Sequence, residues 1–159
     1  MSFKITKDIS GLRQLKKKLE QLNRTELDWG FFEEDRYGPE DGNLPVATVA
    51  QIHETGSDFI PRRPFFTEAL RKIKTVQIEN FVKASIGVGS IQTEHLLNML
   101  GERLVDGVKE EIETWTTPAN SISWATYKRS VGAPMKPLEF TGKMLDSVKF
   151  KIRKTRKRR

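Results

Sequence analysis

The sequence contains no cysteine and only two histidines, His53 and His95. Without cysteine, the chain has no disulfide framework, no thiolate nucleophile and no sulfur-ligated metal site. His53 and Glu54 are not followed by the second histidine, four residues on, that a zinc-protease helix requires, and His95 stands alone. We therefore predict no catalytic residue, no metal site and no cofactor, and we interpret the protein as a non-enzyme.

Long apolar runs and phosphate-binding glycine loops are also missing. No apolar stretch approaches the roughly 20 residues that span a bilayer, and the first residues, MSFKITKD, lack the apolar region of a signal peptide. Neither GxxxxGK(S/T) nor GxGxxG occurs in the chain. With 159 residues, 36% of them hydrophobic, we expect one soluble domain over residues 1–153, with a modest core and no membrane partner.

The net charge of +7 is concentrated at the C-terminal end. Residues 149–159 hold eight Lys or Arg and no acid, whereas the rest of the chain has 20 basic and 21 acidic residues. This pattern indicates a near-neutral body with a basic tail over residues 154–159. We predict that the eight cations contact DNA phosphates or a partner; a solubility element is the alternative. The candidates are Lys149, Lys151, Arg153, Lys154, Arg156, Lys157, Arg158 and Arg159.

Two segments show the period of two that is typical of a half-buried strand. Leu27, Trp29 and Phe31 alternate with other residues near the N-terminal end, and Val148, Phe150 and Ile152 alternate with cations near the C-terminal end. We expect these two segments to pair, with the cations on the opposite face. The fold class predicted is α+β, a small antiparallel sheet packed by several helices, with a long irregular loop.

Helical periodicity marks three further segments. Leucines recur at helical spacing after Ser10, and an apolar stripe predicts a helix from Pro64 to Ala84. A longer helix capped by Ser90 or Thr93 continues to Trp115. It includes two glycines, at positions 101 and 107, which favour close helix packing.

Residues 116–140 are the least regular stretch and are predicted to be a long interaction loop. Trp124 and Tyr127 lie in it and are candidates for a subunit interface. A neighbouring subunit could order this loop, or the loop could fold back on its own domain. The sequence favours neither alternative.

Residues 46–70 are predicted to form a corner around which the rest of the chain is organised. A helix starting near Val46 ends at Gly56, which suits a left-handed conformation. The prolines of IPRRP then hold the backbone extended, and Pro64 opens a second helix. We expect a buried Phe65, and we expect Arg62 or Arg63 to bond to backbone carbonyls or to a carboxylate. We expect His53 to be a structural residue, bonded to nearby backbone or to Glu54.

Two segments resemble signatures of the phage virion-morphogenesis, or tail-completion, family. HETGS and IPRRPFF, at residues 53–57 and 60–66, are similar to H-E-F-G-(S/T)…I-P-x-R-P-F. About 70 residues later, PLEFTGKMLDSV at residues 137–148 is similar to P-L-x-x-T-G-x-L-x-x-S-(I/V). Thr55 stands where the family has an aromatic residue, and Met144 where it has leucine. The motif residues identified are His53, Gly56, Pro61, Arg62, Pro64, Phe65, Thr141, Gly142 and Ser147.

This resemblance covers roughly residues 26–153 and implies a function. It implies a structural virion protein of a tailed bacteriophage, a tail-completion or tail-terminator subunit that forms a ring, commonly a hexamer, at the head–tail junction. The implied partners are further copies of the chain, neighbouring neck, connector and tail-tube proteins, and genomic DNA in the lumen. The implied location is the neck of the virion, and the host cytoplasm before assembly. The alternative is a nucleic-acid-binding module that acts through the basic tail.

Overall fold

A computed structural model describes residues 10–73, 78–80, 83 and 93–155. In chain order the elements are α1 (Ser10–Leu22), β1 (Thr25–Phe31), a 3₁₀ turn (Pro39–Asp41), α2 (Val46–Thr55), α3 (Phe65–Lys72), α4 (Thr93–Thr114), α5 (Ile122–Ser130), α6 (Lys143–Asp146) and β2 (Val148–Lys154). Residues 78–80 and 83 are also helical. The fold is α+β with a small sheet, which confirms the predicted class. Within the described ranges, no helix has the length and apolar character to cross a membrane.

The two strands pair antiparallel, as their alternating patterns predicted. Trp29 lies opposite Phe150, and Leu27 opposite Ile152. Helix α4 packs on this sheet, and it comes closest at Gly101. A Cβ added to Gly101 would lie 2.5 Å from the ring of Phe150, so the absence of a side chain allows the approach. Gly107 has the same role, because its Cβ would lie 2.9 Å from Ile73. The prediction of close packing at both glycines is confirmed.

The core lies where α4 meets the α2–α3 corner and the end of the chain. Its centre is Phe65, which is fully buried, with Val108 and Ile112 of α4 equally inaccessible. Burial of such a side chain contributes about 1.5–3 kcal/mol. The other core residues are Val46, Ala50, Ala69, Val105, Leu138, Met144 and Val148. Both signature segments therefore contribute to one core, although they are far apart in the sequence.

Helix α3 ends earlier than its apolar stripe predicted. The helix stops at Lys72, because Ile73 leaves the helical region with ψ near 85°. Leu70, an apolar residue of this helix, is 46% exposed. The predicted end at Ala84 and the candidate cap Ser90 lie outside the described residues, and α4 begins at Thr93.

Residues 116–140 are not a continuous irregular loop. Nine of them form α5, whose N-cap residue Ser121 accepts a hydrogen bond from the backbone N–H of Trp124 (3.3 Å). The loop prediction is wrong for these residues. The segment is tied to its own domain, since Asn120 Nδ2 donates to the carbonyl of Met135 (2.8 Å) and buried side chains bond to its backbone, as described below. Of the two alternatives, the structure supports a segment folded back on its own domain.

Among the described residues, helix α1 has few contacts, which are with β1 and α4. Leu15 and Leu19, two of the leucines that predicted the helix, remain 38% and 45% exposed. The helix confirms the periodicity, but these two leucines of its apolar side are partly open to solvent. This leaves apolar area available for contact with another molecule.

Candidate functional site

A tight backbone turn at Gly56 and the carboxylate of Glu54 stabilise the corner between α2 and α3. Gly56 ends α2 with φ of 78°, and a Cβ there would lie 3.0–3.1 Å from the backbone of Arg62. Glu54, in the last turn of α2, accepts hydrogen bonds from the backbone N–H groups of Phe66 (2.9 Å) and Thr67 (3.1 Å). These are free donors in the first turn of α3, so Glu54 caps the next helix. The predicted corner is confirmed at Gly56. Sequence reasoning missed the capping role of Glu54.

Arg63 connects this corner to the segment before α5. Its side chain is almost fully buried, at 4% exposed. Nε donates to the carbonyl of Pro118 and Nη2 to that of Ala119, both at 3.0 Å. Arg62 Nε donates to the carbonyl of Glu54 at 3.2 Å. The prediction that an arginine of the elbow bonds to backbone carbonyls is therefore confirmed for both arginines.

A second buried cation, Lys128 of α5, lies close to Arg63. Lys128 is completely inaccessible to solvent. Its Nζ donates to the carbonyls of Lys136 (2.6 Å) and Glu139, and lies 6.0 Å from the centre of the Trp124 ring. Burial lowers the pKa of the Lys128 ammonium, although the nearby Glu139 carboxylate opposes this shift. Nothing in the sequence around Lys128 signals that this lysine is buried.

His53 contacts Arg63, and its ring is neutral at physiological pH. Its Nδ1 is 3.4 Å from Nη1 of Arg63. Since a guanidinium can only donate, Nδ1 is the acceptor and the proton of the neutral ring is on Nε2. Burial, and then the charges of Arg63 and Lys128, lower the pKa of His53 to about 4. The side-chain partner of His53 is Arg63, and not the nearby backbone or Glu54 that was predicted.

These residues form the floor of an open groove with a volume of about 510 Å³. Both signature segments line it, the first with Ile60 and Pro61 and the second with Leu138 and Phe140. Volumes of this size are typical of sites that bind a small ligand or an inserted side chain. The groove carries three cations, Arg63, Lys128 and Lys143, and two acids, Asp41 and Glu139.

The second signature shapes one wall of this groove through a short helix. The Thr141 hydroxyl accepts from the backbone N–H of Lys143 (3.3 Å), the first residue of α6, and Gly142 has φ of 78°. Ser147 is buried at the other end, where its hydroxyl donates to the carbonyl of Lys143 (2.8 Å). Thr141 thus assists the start of α6. All three motif residues act on backbone geometry.

The candidate interface residues Trp124 and Tyr127 pack on their own chain. Their rings stack at 5.3 Å, and Phe140 lies 5.1 Å from the Trp124 ring and 6.0 Å from the Tyr127 ring. Both side chains are still well exposed, at 39% and 48%. The intramolecular stack accounts for their partial burial without a neighbouring subunit.

Three of the eight cations predicted to contact DNA or a partner are engaged in ion pairs on the sheet face opposite the core. Lys149 binds the Asp35 carboxylate (2.7 Å), Lys151 binds Glu34, and Arg153 binds Asp28. These pairs raise the pKa of Lys149 and lower that of Glu34. Their charges are largely compensated within the chain.

Lys154, the fourth of these cations, belongs to β2, so the basic tail starts one residue later than predicted. The remaining four, Arg156, Lys157, Arg158 and Arg159, lie outside the described residues.

Comparison of the chain with protein-family models, with curated protein sequences and with solved structures finds no significant match. In the described part of the chain, no group of three or more histidine, aspartate or glutamate side chains could hold a metal ion.

Proposed function

We propose that this protein is a structural subunit of a tailed-phage virion, which assembles as a ring at the head–tail junction and completes the tail. The observation that carries the proposal is the joint position of the two segments that resemble tail-completion signatures. Residues 53–66 and 137–148 share one core and line one groove. Seven of the nine motif residues have a described structural role there, which is consistent with signatures that specify a scaffold: His53, Gly56, Arg62, Phe65, Thr141, Gly142 and Ser147.

The open apolar side of α1 supports an assembly role. Leu15 and Leu19 leave apolar area exposed on a helix that has few contacts with the other described residues. Surface of this kind marks interaction sites, and burial against a neighbouring copy would stabilise both the helix and the assembly. We place a ring contact on α1.

The nucleic-acid-binding alternative receives less support. Lys149, Lys151 and Arg153 bind carboxylates within the chain, so they would have to break these pairs before they could release counterions from DNA phosphates. A DNA contact from this chain would depend on the cations beyond β2.

Deletion of the gene from a phage that encodes this chain tests the proposal. We expect filled heads and separate tails that fail to join, with infectivity restored by the wild-type protein supplied in trans. Leu19→Glu should fold but fail to restore infectivity, because it places a charge in the α1 contact. Gln14→Glu, at an exposed polar position of the same helix, is the matched control and should restore it. Joined, infectious particles without the gene would contradict the proposal.

A further inference from the structure

Phe59 is an exposed apolar side chain on a hydrogen-bonded turn beside the groove. It is 96% exposed, more than any other large apolar side chain described. Its turn is not loose, because Ser57 Oγ accepts from the backbone N–H groups of Phe59 (3.4 Å) and Ile60 (3.1 Å), and Ser57 N–H donates to the carbonyl of Ile60 (2.8 Å). The fold therefore presents this phenyl ring to solvent.

Phe59 borders the groove but does not fill it. The ring lies at the edge of a cavity of about 510 Å³ whose apolar lining includes Leu138, Phe140 and Trp124. The ring packs on little of its own chain, so the groove remains open to another molecule. A projection and a recess of matching chemistry thus lie side by side on one face.

The charges next to these two features are also complementary. Asp58, the exposed residue before Phe59, carries a carboxylate. The groove floor has the buried cations Arg63 and Lys128, whose described partners are backbone carbonyls and, for Arg63, the His53 ring. Lys143 adds a positive charge at the exposed rim. Of the two acids in the groove, Glu139 is paired with Lys136 (3.2 Å), and Asp41 remains.

We propose that this face binds a second copy of the same chain across a twofold axis. In this pair the Phe59 ring of each copy enters the groove of the other, and each Asp58 carboxylate approaches Lys143 at the rim, above the buried cations Arg63 and Lys128. A twofold axis makes both contacts at once, because a projection beside its own receptor is self-complementary. The contact is separate from the α1 surface assigned to the ring, so it does not rest on the proposed function.

Self-association of the full-length chain tests this pairing. Sedimentation from about 1 µM to about 200 µM covers the range expected for a small, reversible interface. We expect a monomer that converts to dimer as concentration rises. Phe59→Ser should abolish the dimer without loss of thermal stability, because the side chain contacts little in its own fold. Ile122→Ser, at another highly exposed apolar position (87%), is the matched control and should dimerise like the wild type.

Cross-linking then locates the contact. A photoreactive benzoylphenylalanine at position 59, in a mixture of isotopically light and heavy chains, should link position 59 of one copy to Trp124 or Phe140 of the other. Links confined to one copy, or to residues outside the groove, would overturn the proposal. So would a chain that stays monomeric throughout, a dimer that survives Phe59→Ser, or a ring that Phe59→Ser dissolves.

Discussion

Acid should destabilise this protein through His53, and the effect should depend on Arg63. The folded state lowers the pKa of His53 to about 4, from the value of 6.5 that applies to the unfolded chain. Between these two values the unfolded state binds more protons, so stability falls as the pH falls. Above the unfolded pKa of 6.5, protonation of His53 takes nothing from the stability of the native state. The native state loses that stability progressively as the pH approaches the folded pKa.

The size of the effect follows from the two pKa values. Between about pH 7 and pH 5, the preference of the proton for the unfolded state should remove about 2 kcal/mol from the free energy of unfolding. Carboxylates titrate in part of the same window, so the wild type alone does not isolate the histidine. His53→Gln retains a hydrogen-bond acceptor for Arg63 but cannot titrate. It should therefore lose about 2 kcal/mol less than the wild type over the same pH change.

Urea unfolding at both pH values measures this difference, with His95→Gln, at an exposed position of α4, as the control for loss of a histidine. Titration of the His53 ring by nuclear magnetic resonance gives the pKa directly. In Arg63→Met the midpoint should rise, because a neighbouring positive charge that opposes protonation has been removed. If His53→Gln and the wild type lose stability in parallel, or if the ring titrates near 6.5, the described environment of His53 is wrong.

Three further substitutions test the fold. Phe65→Ala should cost about 3–5 kcal/mol in chemical unfolding, because it empties a fully buried site, whereas Phe59→Ala should change stability by less than about 0.5 kcal/mol. Glu54→Gln weakens the cap of α3 and should lower the free energy of unfolding by about 1 kcal/mol. A variant as stable as the wild type would show that Glu54 does not stabilise α3. Gly101→Ala should lose about 1–3 kcal/mol by calorimetry, because the new methyl group meets the β2 phenylalanine ring, whereas Gly11→Ala, which meets nothing within 4 Å, should gain stability.

The sequence predicted those elements that local patterns determine. The alternation of Leu27, Trp29 and Phe31 reports a strand with one buried face, and that of Val148, Phe150 and Ile152 reports its partner. The long apolar stripe of α4 is equally local. The corner at residues 46–70 could be predicted because proline fixes the backbone angle φ and glycine permits a positive φ.

The features that were missed depend on contacts between distant residues. Helix α5 lies in a stretch interrupted by prolines, and its stability comes from Lys128 bonding to two carbonyls and from Trp124 and Tyr127 packing on Phe140. None of these contacts has a signal in the local pattern. The elbow arginines were predicted to bond to carbonyls, but only the fold shows that Arg63 reaches residues 118 and 119.

The cationic face of β2 was predicted only in part. The alternation places Lys149, Lys151 and Arg153 on one face, as the structure has them. Their carboxylate partners lie in β1 and in the residues that follow it. Which acid meets which cation follows from the strand register, and the sequence alone does not specify that register.

Electron cryo-microscopy of the head–tail junction, in purified virions of a phage that encodes this chain, tests the proposed function most directly. We expect a closed ring of several copies at the junction, in which each subunit has the two-stranded sheet packed by α4, with α1 in contact with the neighbouring subunit. Mass spectrometry of the same particles should detect the protein as a virion component. Virions that lack the protein, or a junction built entirely from other chains, would contradict the account.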